Sequence, residues 1–305
     1  QGCFRLGGIR HEGCESAAVV IAHYFTIDLE EYFQVGAFRA FVSQSDWDRL
    51  ESRVTVQAAQ LLALLAEYEA RATFFVVGWV AVRHPQLIRT IARAGHEIAS
   101  HGWDHAPVTD QSPAEFRSSI RHTKRVLESL TGTPVLGFRA PSFSIVPGRE
   151  WALDILIDEG YQYDSSLFPV RRPGYGYATG APDPHWLTRP AGRLREFPPA
   201  TLRVGGVRLP AAGGGYFRLL PYRLVQAALR QCERRGVPGT FYIHPWEIDP
   251  AQPRLAVPPL TRLRHYGGLR RTVPRLNRLL REFRFTSIRD GAGLSVAPIP
   301  QSEVA

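Results

Sequence analysis

A chain of 305 residues with 44% hydrophobic residues is long enough for one large α/β barrel or two ordinary domains. Its apolar runs fall short of the roughly 18 residues that cross a membrane, and its 3 cysteines, Cys3, Cys14 and Cys232, are too few and too scattered for a disulfide framework. The formal net charge of +9 rests almost entirely on arginine, and no nucleic-acid-binding motif accompanies it, so nucleic acid is not a predicted partner.

The first half of the chain alternates strand and helix patterns after an irregular segment over 1–18. Apolar, β-branched runs predict strands at 19–27, 72–77 and 96–100. Helical periodicity predicts helices at 54–68, 85–94 and 113–130. The last helix has clear ends, because Ser112 and Glu115 form a capping box and Gly132 follows its final turn.

The second half continues the alternation with two interruptions. Strands are predicted at 135–138, 161–163 and 240–243, and helices at 150–159 and 221–235. The segment 169–215 is rich in Gly, Pro and Arg and predicts loops with a hairpin around Gly205 and Gly206. Beyond Arg254 an arginine-rich segment places Leu276, Leu279, Leu280 and Phe283 on one helical face, which predicts packing against the rest of the protein.

Alternating strands and helices predict a parallel sheet or a barrel. In such folds the functional site gathers at the carboxyl ends of the strands. Four polar residues fall at those ends in this sequence, namely Asp28, His101, Arg139 and His244. The pattern therefore predicts one polar site built from distant parts of the chain.

His101 and His105 are the first indication of what that site binds. A single helical turn after the strand would point both imidazoles into one pocket. Two neutral imidazoles form part of a ligand set for zinc or a similar divalent metal, and the acidic cluster at 28–31 offers a carboxylate to complete it.

Longer motifs carry a resemblance to a known family. They are the segments 26–35, 139–144, 163–169, 213–221, 242–247 and 264–266. With the histidine pair, they resemble the polysaccharide deacetylases of the NodB homology type, carbohydrate esterase family four, and more narrowly the subfamily of exosortase (PEP-CTERM) exopolysaccharide loci. The resemblance implies a deformed (β/α) barrel over 19–248 with an arginine-rich C-terminal extension over 249–305.

The resemblance also implies roles for the strand-end residues. Asp28 matches the general base, His244 the general acid, and Arg139 the residue that orients the base. Their physical chemistry agrees, because an arginine beside Asp28 would keep it ionised and a histidine titrates in a range suited to proton donation.

The metal ligands implied by the resemblance are His101, His105 and one carboxylate. The family's usual carboxylate position falls on Leu29, which cannot bind a metal. Glu30 is the preferred substitute, because side chains two residues apart at a strand end face the same way, and Glu31 is the weaker alternative. Zinc is the expected ion, because three protein ligands leave an open position for catalysis.

The function implied is metal-dependent removal of N-acetyl groups from amino sugars of an exopolysaccharide or its precursor. Pro141, Phe143 and Trp246 are the predicted substrate-binding residues, although Pro141 is expected mainly to fix its turn and Trp246 suits core packing equally well. Two alternatives stay open: hydrolysis of small cyclic amides, not always with metal, and a non-catalytic glycan-binding module.

The expected location is the cytoplasm or the inner face of the membrane. The basic segment is a candidate for peripheral contact with a membrane or an anionic glycan. The sequence leaves the oligomeric state open.

Overall fold

The computed structural model describes residues 20–172 and 174–294. The predicted irregular segment 1–18, with Cys3 and Cys14, lies outside the described residues. The strands are β1 (Ala22–Leu29), β2 (Thr73–Val76), β3 (Glu97–Ser100), β4 (Gly137–Phe138), β5 (Tyr163–Asp164), β6 (His185–Arg189), β7 (Gly192–Glu196), β8 (Thr201–Val204), β9 (Val207–Pro210), β10 (Thr240–Ile243) and β11 (Arg284–Thr286). The helices are α1 (Val54–Glu67), α2 (Gly78–Arg83), α3 (Pro85–Arg93), α4 (Pro113–Thr131), α5 (Trp151–Asp158), α6 (Gly214–Leu219), α7 (Tyr222–Arg234), α8 (Pro259–Tyr266), α9 (Leu269–Glu282) and α10 (Ile288–Gly291).

The main sheet confirms the predicted α/β class. Its strand order is β10-β1-β2-β3-β4-β5-β7-β6, with β11 also pairing with β1. All of these pairs are parallel except the β6–β7 hairpin. The described strands do not pair into a continuous barrel, but an isolated bridge between Pro199 and Thr240 joins the chain after β7 to β10. That bridge brings the two sides of the sheet together, as in a deformed barrel.

Both faces of the central strands are buried, which explains their nearly continuous apolar sequences. On β1, Phe25, Ile27 and Leu29 belong to the large core shared with the helices. Tyr24, on the other face, packs with Phe75 in a smaller inner cluster. Because successive side chains alternate between faces, the polar residues Thr26 and Asp28 share the inner face with Tyr24.

Most predicted elements are present, and the unpredicted ones are short strands and short helices, namely β6, β7, β11, α2, α6, α8 and α10. The hairpin around Gly205 and Gly206 is confirmed as β8–β9. The prediction of loops over the rest of 169–215 is wrong for β6 and β7, because β7 extends the parallel sheet beside β5. Its five residues, Gly192–Glu196, contain three charged residues and a single large apolar one, Leu194, which is too weak a pattern to separate from a loop.

The arginine-rich segment packs as predicted. Leu276, Leu279, Leu280 and Phe283 are buried in the main core. The same segment also supplies β11, which pairs with β1 through Ala22–Tyr24. The boundary between a barrel at 19–248 and an extension at 249–305 stays a prediction, since the sheet draws strands from both ranges. Among the described residues, no helix has the length and apolar character needed to cross a membrane.

Two buried carboxyl groups bind the loop after β5, because the backbone N–H of Ser166 donates to Asp164 and that of Leu167 donates to Glu196. Asp164 and Glu196 face each other in the β5–β7 register, and both are fully buried. Burial raises the pKa of Asp164 to about 6, and burial together with the neighbouring Asp164 raises the pKa of Glu196 well above its ordinary value. The pair is therefore most stable with a proton bound between its two carboxyl groups.

The substitution Glu196→Gln tests this pair. A group whose pKa is raised by folding stabilises the protein below its unfolded pKa and loses that contribution as pH rises through its folded pKa. The melting temperature of the wild-type protein should fall as pH rises from about 4, the ordinary carboxyl range, through about 6 and above. The melting temperature of Glu196→Gln should fall less, because an amide donates to Asp164 without needing a proton. Calorimetry across that range measures the difference. The control Glu67→Gln alters an exposed carboxylate, and equal pH slopes in all three proteins would contradict the shared proton.

Candidate active site

The carboxyl ends of the parallel strands meet in one cavity of about 340 Å³. Asp28 lies at the end of β1, and His101 and His244 follow β3 and β10 directly. The cavity is lined by Asp28, Glu30, Val35, Gly36, Ala37, His101, His105, Ser142, Phe143, Tyr175, Gly214, Gly215, Arg218, Tyr242, His244, Trp246, Arg264 and His265. Residues that are far apart in sequence therefore meet at the predicted edge of the sheet.

The residues 28–31 at the end of β1 direct their side chains to different parts of the protein. Leu29 is fully buried in the apolar core. Glu31 accepts hydrogen bonds from Ser52 Oγ and, at 3.0–3.3 Å, from the backbone N–H groups of Arg53 and Val54 at the start of α1. Glu31 therefore caps that helix and does not join His101 and His105. Glu30 lies on the cavity side with Asp28.

Glu30, His101 and His105 form a compact group of potential metal ligands. One ligand atom from each lies within 4.8 Å of the others, and His105 Nε2 is 2.6 Å from Glu30 Oε2. His101 Nδ1 lies 2.7 Å from the backbone oxygen of Arg139. Because a carbonyl oxygen only accepts, His101 Nδ1 carries the proton and its Nε2 keeps a free lone pair.

The loop that presents the two histidines differs from the predicted helical turn. Residues 101–107 form no helix, and Gly102 and His105 adopt left-handed backbone angles, with φ of 72° and 56°. The two imidazole centroids are nevertheless 5.2 Å apart. The prediction of a helical turn is wrong because a left-handed residue at each of these positions reverses the chain more tightly than a helix does.

The charges of this group depend on one another. Burial opposes ionisation of Glu30, but the nearby His105, His244 and His101 overcome that penalty and hold its pKa well below the ordinary value. Burial lowers the pKa of His101 to about 4, against the opposing effect of Asp28. An ionised carboxylate and a neutral imidazole are the protonation states in which these side chains bind metals.

Asp28 forms a buried ion pair with Arg139. The distance from Arg139 Nη1 to Asp28 Oδ1 is 2.7 Å, and the same nitrogen donates to Thr26 Oγ1 at 2.8 Å. Arg139 also donates to the backbone oxygen and hydroxyl of Ser165. These contacts fix the guanidinium completely, and through it the orientation of Asp28.

His244 is held by a second buried ion pair. Its Nδ1 is 2.9 Å from Glu247 Oε2, and Arg218 Nε is 2.5 Å from Glu247 Oε1. His244 Nε2 points toward the cavity floor, 3.7 Å from Asp28 Oδ2 and 3.9 Å from Glu30 Oε1. Burial lowers the pKa of His244, but Glu30, Glu247 and Asp28 outweigh burial and raise it to about 9.

Trp246 and His265 form one wall of the cavity. Trp246 donates from Nε1 to Glu30 Oε1 at 2.9 Å and stacks between the rings of His244 and His265, at 5.2 and 4.2 Å. His265 Nε2 contacts Gln252 Oε1 at 2.7 Å, while the Gln252 amide nitrogen donates to two backbone carbonyls. His265 therefore carries its proton on Nε2. Trp246 thus both lines the cavity and positions Glu30.

An aromatic wall lies opposite the ligand group. Tyr242 packs against Phe143 with ring centroids 5.0 Å apart. Only glycine fits beside this tyrosine, because a Cβ at Gly213 would lie 2.2 Å from the Tyr242 carbonyl oxygen. Pro141 is buried and does not line the cavity. Its ring instead begins the turn in which Ser142 and Phe143 take left-handed angles, so a direct substrate contact by Pro141 is not supported.

Sequence reasoning missed the importance of Arg218, Glu247 and His265. Glu247 follows His244 by three residues, and that spacing alone did not separate an orienting partner from a surface acid. Arg218 lies 29 residues before Glu247. No local signal connects them, because only the fold brings the two charges together.

Two family models match the chain. Residues 48–152 match the model described as polysaccharide deacetylase. Residues 165–292 match a domain of unknown function, DUF3473. The chain therefore carries a polysaccharide deacetylase domain of the NodB type, carbohydrate esterase family four. The second match includes Arg218, His244 and His265, so the segment of unknown function supplies one side of the cavity.

Known proteins resemble parts of the chain. A peptidoglycan-N-acetylglucosamine deacetylase of Bacillus cereus is 35% identical over 82 residues, 27% of this chain and 38% of that protein. A chitooligosaccharide deacetylase of Bradyrhizobium is 29% identical over 96 residues, 32% of this chain and 42% of that protein. The chain thus spans about two-fifths of the length of these relatives.

Two solved structures share the fold. A protein from Mycobacterium smegmatis assigned to the polysaccharide deacetylases aligns with a TM-score of 0.59 and 23% identity, over 86% of this chain and 82% of its own. The Puue allantoinase aligns with a TM-score of 0.57 and 18% identity, over 89% of both chains. At these identities the similarity concerns the fold.

The substitution Glu247→Gln tests the electrostatics of His244. Removing the carboxylate next to Nδ1 removes one of the charges that stabilise the imidazolium, so the pKa of His244 should fall by about 1 or more. NMR titration of the histidine ring in metal-free protein measures this pKa. Glu67→Gln is the control and should leave it unchanged. An unchanged His244 pKa in Glu247→Gln would contradict the assigned hydrogen bond.

Proposed function

We propose that this protein is a metal-dependent deacetylase that hydrolyses N-acetyl groups of amino sugars in an exopolysaccharide or its precursor. One observation carries the proposal: Glu30, His101 and His105 converge within 4.8 Å of one another, beside a fixed Asp28 and opposite His244. A ligand group, a base and an acid thus face one cavity. The names of the two curated relatives support the reaction class.

The residues fit a divalent metal, most simply zinc. Glu30 Oε2 lies 2.6 Å from His105 Nε2, and His105 Nδ1 is buried without a hydrogen-bond partner among the described residues, as expected where ligands are arranged for an ion. The donor set of two imidazoles and one carboxylate is typical of catalytic zinc sites with an open position. A bound ion of this kind supplies Lewis acidity, which lowers the pKa of a water molecule and polarises a carbonyl group.

The protein's own residues would move the protons. Asp28 Oδ2, the oxygen not bound to Arg139, faces the cavity and would accept the proton of the attacking water. Arg139 holds this carboxylate in position through the contact of its Nη1 with Asp28 Oδ1. As the bond between the acetyl carbon and the sugar nitrogen breaks, His244 Nε2 would donate a proton to the leaving amine. In the metal-free protein Glu30, Glu247 and Asp28 raise the pKa of His244 to about 9, and Glu247 at Nδ1 would continue to stabilise the protonated ring when Glu30 binds an ion.

The turn after β4 would complete the reaction site. The negative charge that develops on the acetyl oxygen requires a hydrogen-bond donor. Phe143 N–H already donates to the Ala140 carbonyl at 3.0 Å, whereas Ser142 N–H makes no backbone hydrogen bond among the described residues. We therefore assign Ser142 N–H to the acetyl oxygen. Phe143 and Tyr242 would enclose the acetyl methyl group, and Trp246 would contact the sugar.

Acetate release from N-acetylglucosamine oligosaccharides tests the proposal. Wild-type protein with about one zinc ion per chain should release acetate, and a chelator should stop the reaction. Asp28→Asn should retain the metal but lose about 10²-fold or more in turnover. His101→Ala should lose the metal, as measured by elemental analysis.

His122→Ala is the matched control, because this histidine lies on α4 outside the ligand group. It should retain both metal and activity. Activity that survives complete metal removal would contradict the metal-dependent mechanism. Hydrolysis of a small cyclic amide without acetate release would favour the alternative reaction. Glycan binding that is equal in wild type and Asp28→Asn, with no acetate released by either, would favour a binding module.

A further inference from the structure

An exposed apolar patch lies beside the cavity. It consists of Leu219, Leu260 and Leu263, which are 42%, 57% and 62% exposed. Leu260 and Leu263 are one turn apart on α8 and share its outer face. Leu219 adjoins the end of this helix, because a Cβ at Gly267 would lie 2.8 Å from Leu219 Cδ2. Large side chains exposed together on one surface mark an interaction site more often than single exposed residues do.

The same surface is strongly basic. Its cations are Arg254, Arg262, Arg264, Arg270 and Arg271, all exposed. None of the five forms an ion pair with a described carboxylate, and the sequence contains no acidic residue between Asp249 and Glu282. We call these five arginines and the three leucines the α8 surface. Five of the eight share a shallow depression of about 370 Å³, namely Leu219, Leu263, Arg254, Arg270 and Arg271.

We propose that the α8 surface docks on an anionic lipid bilayer, with the leucines at the acyl boundary and the arginines against the headgroup phosphates. Two other occupants fit less well. An anionic polysaccharide would pair with the arginines but offers no apolar phase for the leucines. A second copy of this chain would place two arginine-rich faces against each other, and like charges oppose such a contact.

Docking would place the cavity at the membrane. Arg264 and His265 belong to α8 and line the cavity, and Arg218 borders both the cavity and the basic depression. A bilayer on the α8 surface would therefore lie next to the cavity mouth. The substrate class that suits this arrangement is an N-acetyl amino sugar held at the membrane by a lipid carrier. This last step rests on the proposed function, whereas the docking does not.

Co-sedimentation of the full chain with vesicles tests the docking. Binding should be strong to phosphatidylcholine vesicles containing phosphatidylglycerol, weak to phosphatidylcholine alone, and reduced by added salt. The double variant Leu260→Ser/Leu263→Ser should bind at least about tenfold more weakly. The matched control is Val204→Ser/Val207→Ser, which alters two valines of similar exposure, 56% and 61%, on the β8–β9 hairpin. It should bind like the wild type.

Other outcomes would overturn the docking. If both double variants bind vesicles equally, or if binding does not depend on lipid charge, the α8 surface is not the membrane-binding surface. Retention on an anionic polysaccharide without vesicle binding would assign the surface to a glycan. A dimer that dissociates in Leu260→Ser/Leu263→Ser would assign it to self-association.

Acetate release from a soluble oligosaccharide separates this proposal from the proposed function. Leu260→Ser/Leu263→Ser should release acetate at the wild-type rate, because neither leucine lines the cavity. Loss of vesicle binding with full acetate release would leave the docking and the reaction as independent properties. Vesicle binding by a protein that releases no acetate would refute only the reaction.

Discussion

The buried arginine after β4 connects the two chemical halves of this site. The Arg139 guanidinium forms the ion pair with Asp28, while its backbone oxygen accepts from His101 Nδ1. A charge removed from water is tolerated only when its partners are complete, and Thr26, Asp28 and Ser165 together supply them. One residue thus determines the orientation of the candidate base and the tautomer of a candidate metal ligand. The rest of the cavity depends on those two results.

The other side of the cavity comes from the segment that matches a domain of unknown function. That segment contributes His244 and the buried pair of Glu247 and Arg218, which gives His244 its orientation and raised pKa. It also contributes α8, whose His265 stacks on Trp246 and whose outer face bears the exposed leucines. The segment therefore completes the site structurally. It also contributes most of the α8 surface, which is not needed to form the cavity.

The sequence predicted long, well-marked elements better than short ones. The capping box at Ser112 and the left-handed Gly132 define both ends of α4, as predicted, and the apolar run at Thr240–Ile243 forms β10 over the predicted residues. β11 was not predicted, because three residues carry too little periodicity and the strand exists only through pairing with β1.

At the site too, the features that depend on tertiary contacts could not be predicted. Asp28, His101, Arg139 and His244 were expected to meet because they lie at the ends of parallel strands, and the structure brings them together. Their roles in a reaction stay predictions. The prediction of Glu30 rather than Glu31 as the third ligand followed from side-chain alternation. The structure places Glu30 beside His105 and Glu31 against the start of α1. The partnership of Arg218 with Glu247 depends on tertiary packing and could not be inferred from spacing. The left-handed angle at His105 is likewise imposed by its loop.

We propose that Glu30 takes the metal-binding position that Leu29 cannot fill. Anomalous X-ray diffraction at the zinc edge, from crystals of zinc-loaded protein, tests it most directly. One anomalous peak is expected within about 2.0–2.2 Å of a Glu30 oxygen and of one nitrogen each of His101 and His105. A peak bound by Asp28 or Glu31 in place of Glu30, or no peak between the two histidines, would contradict it.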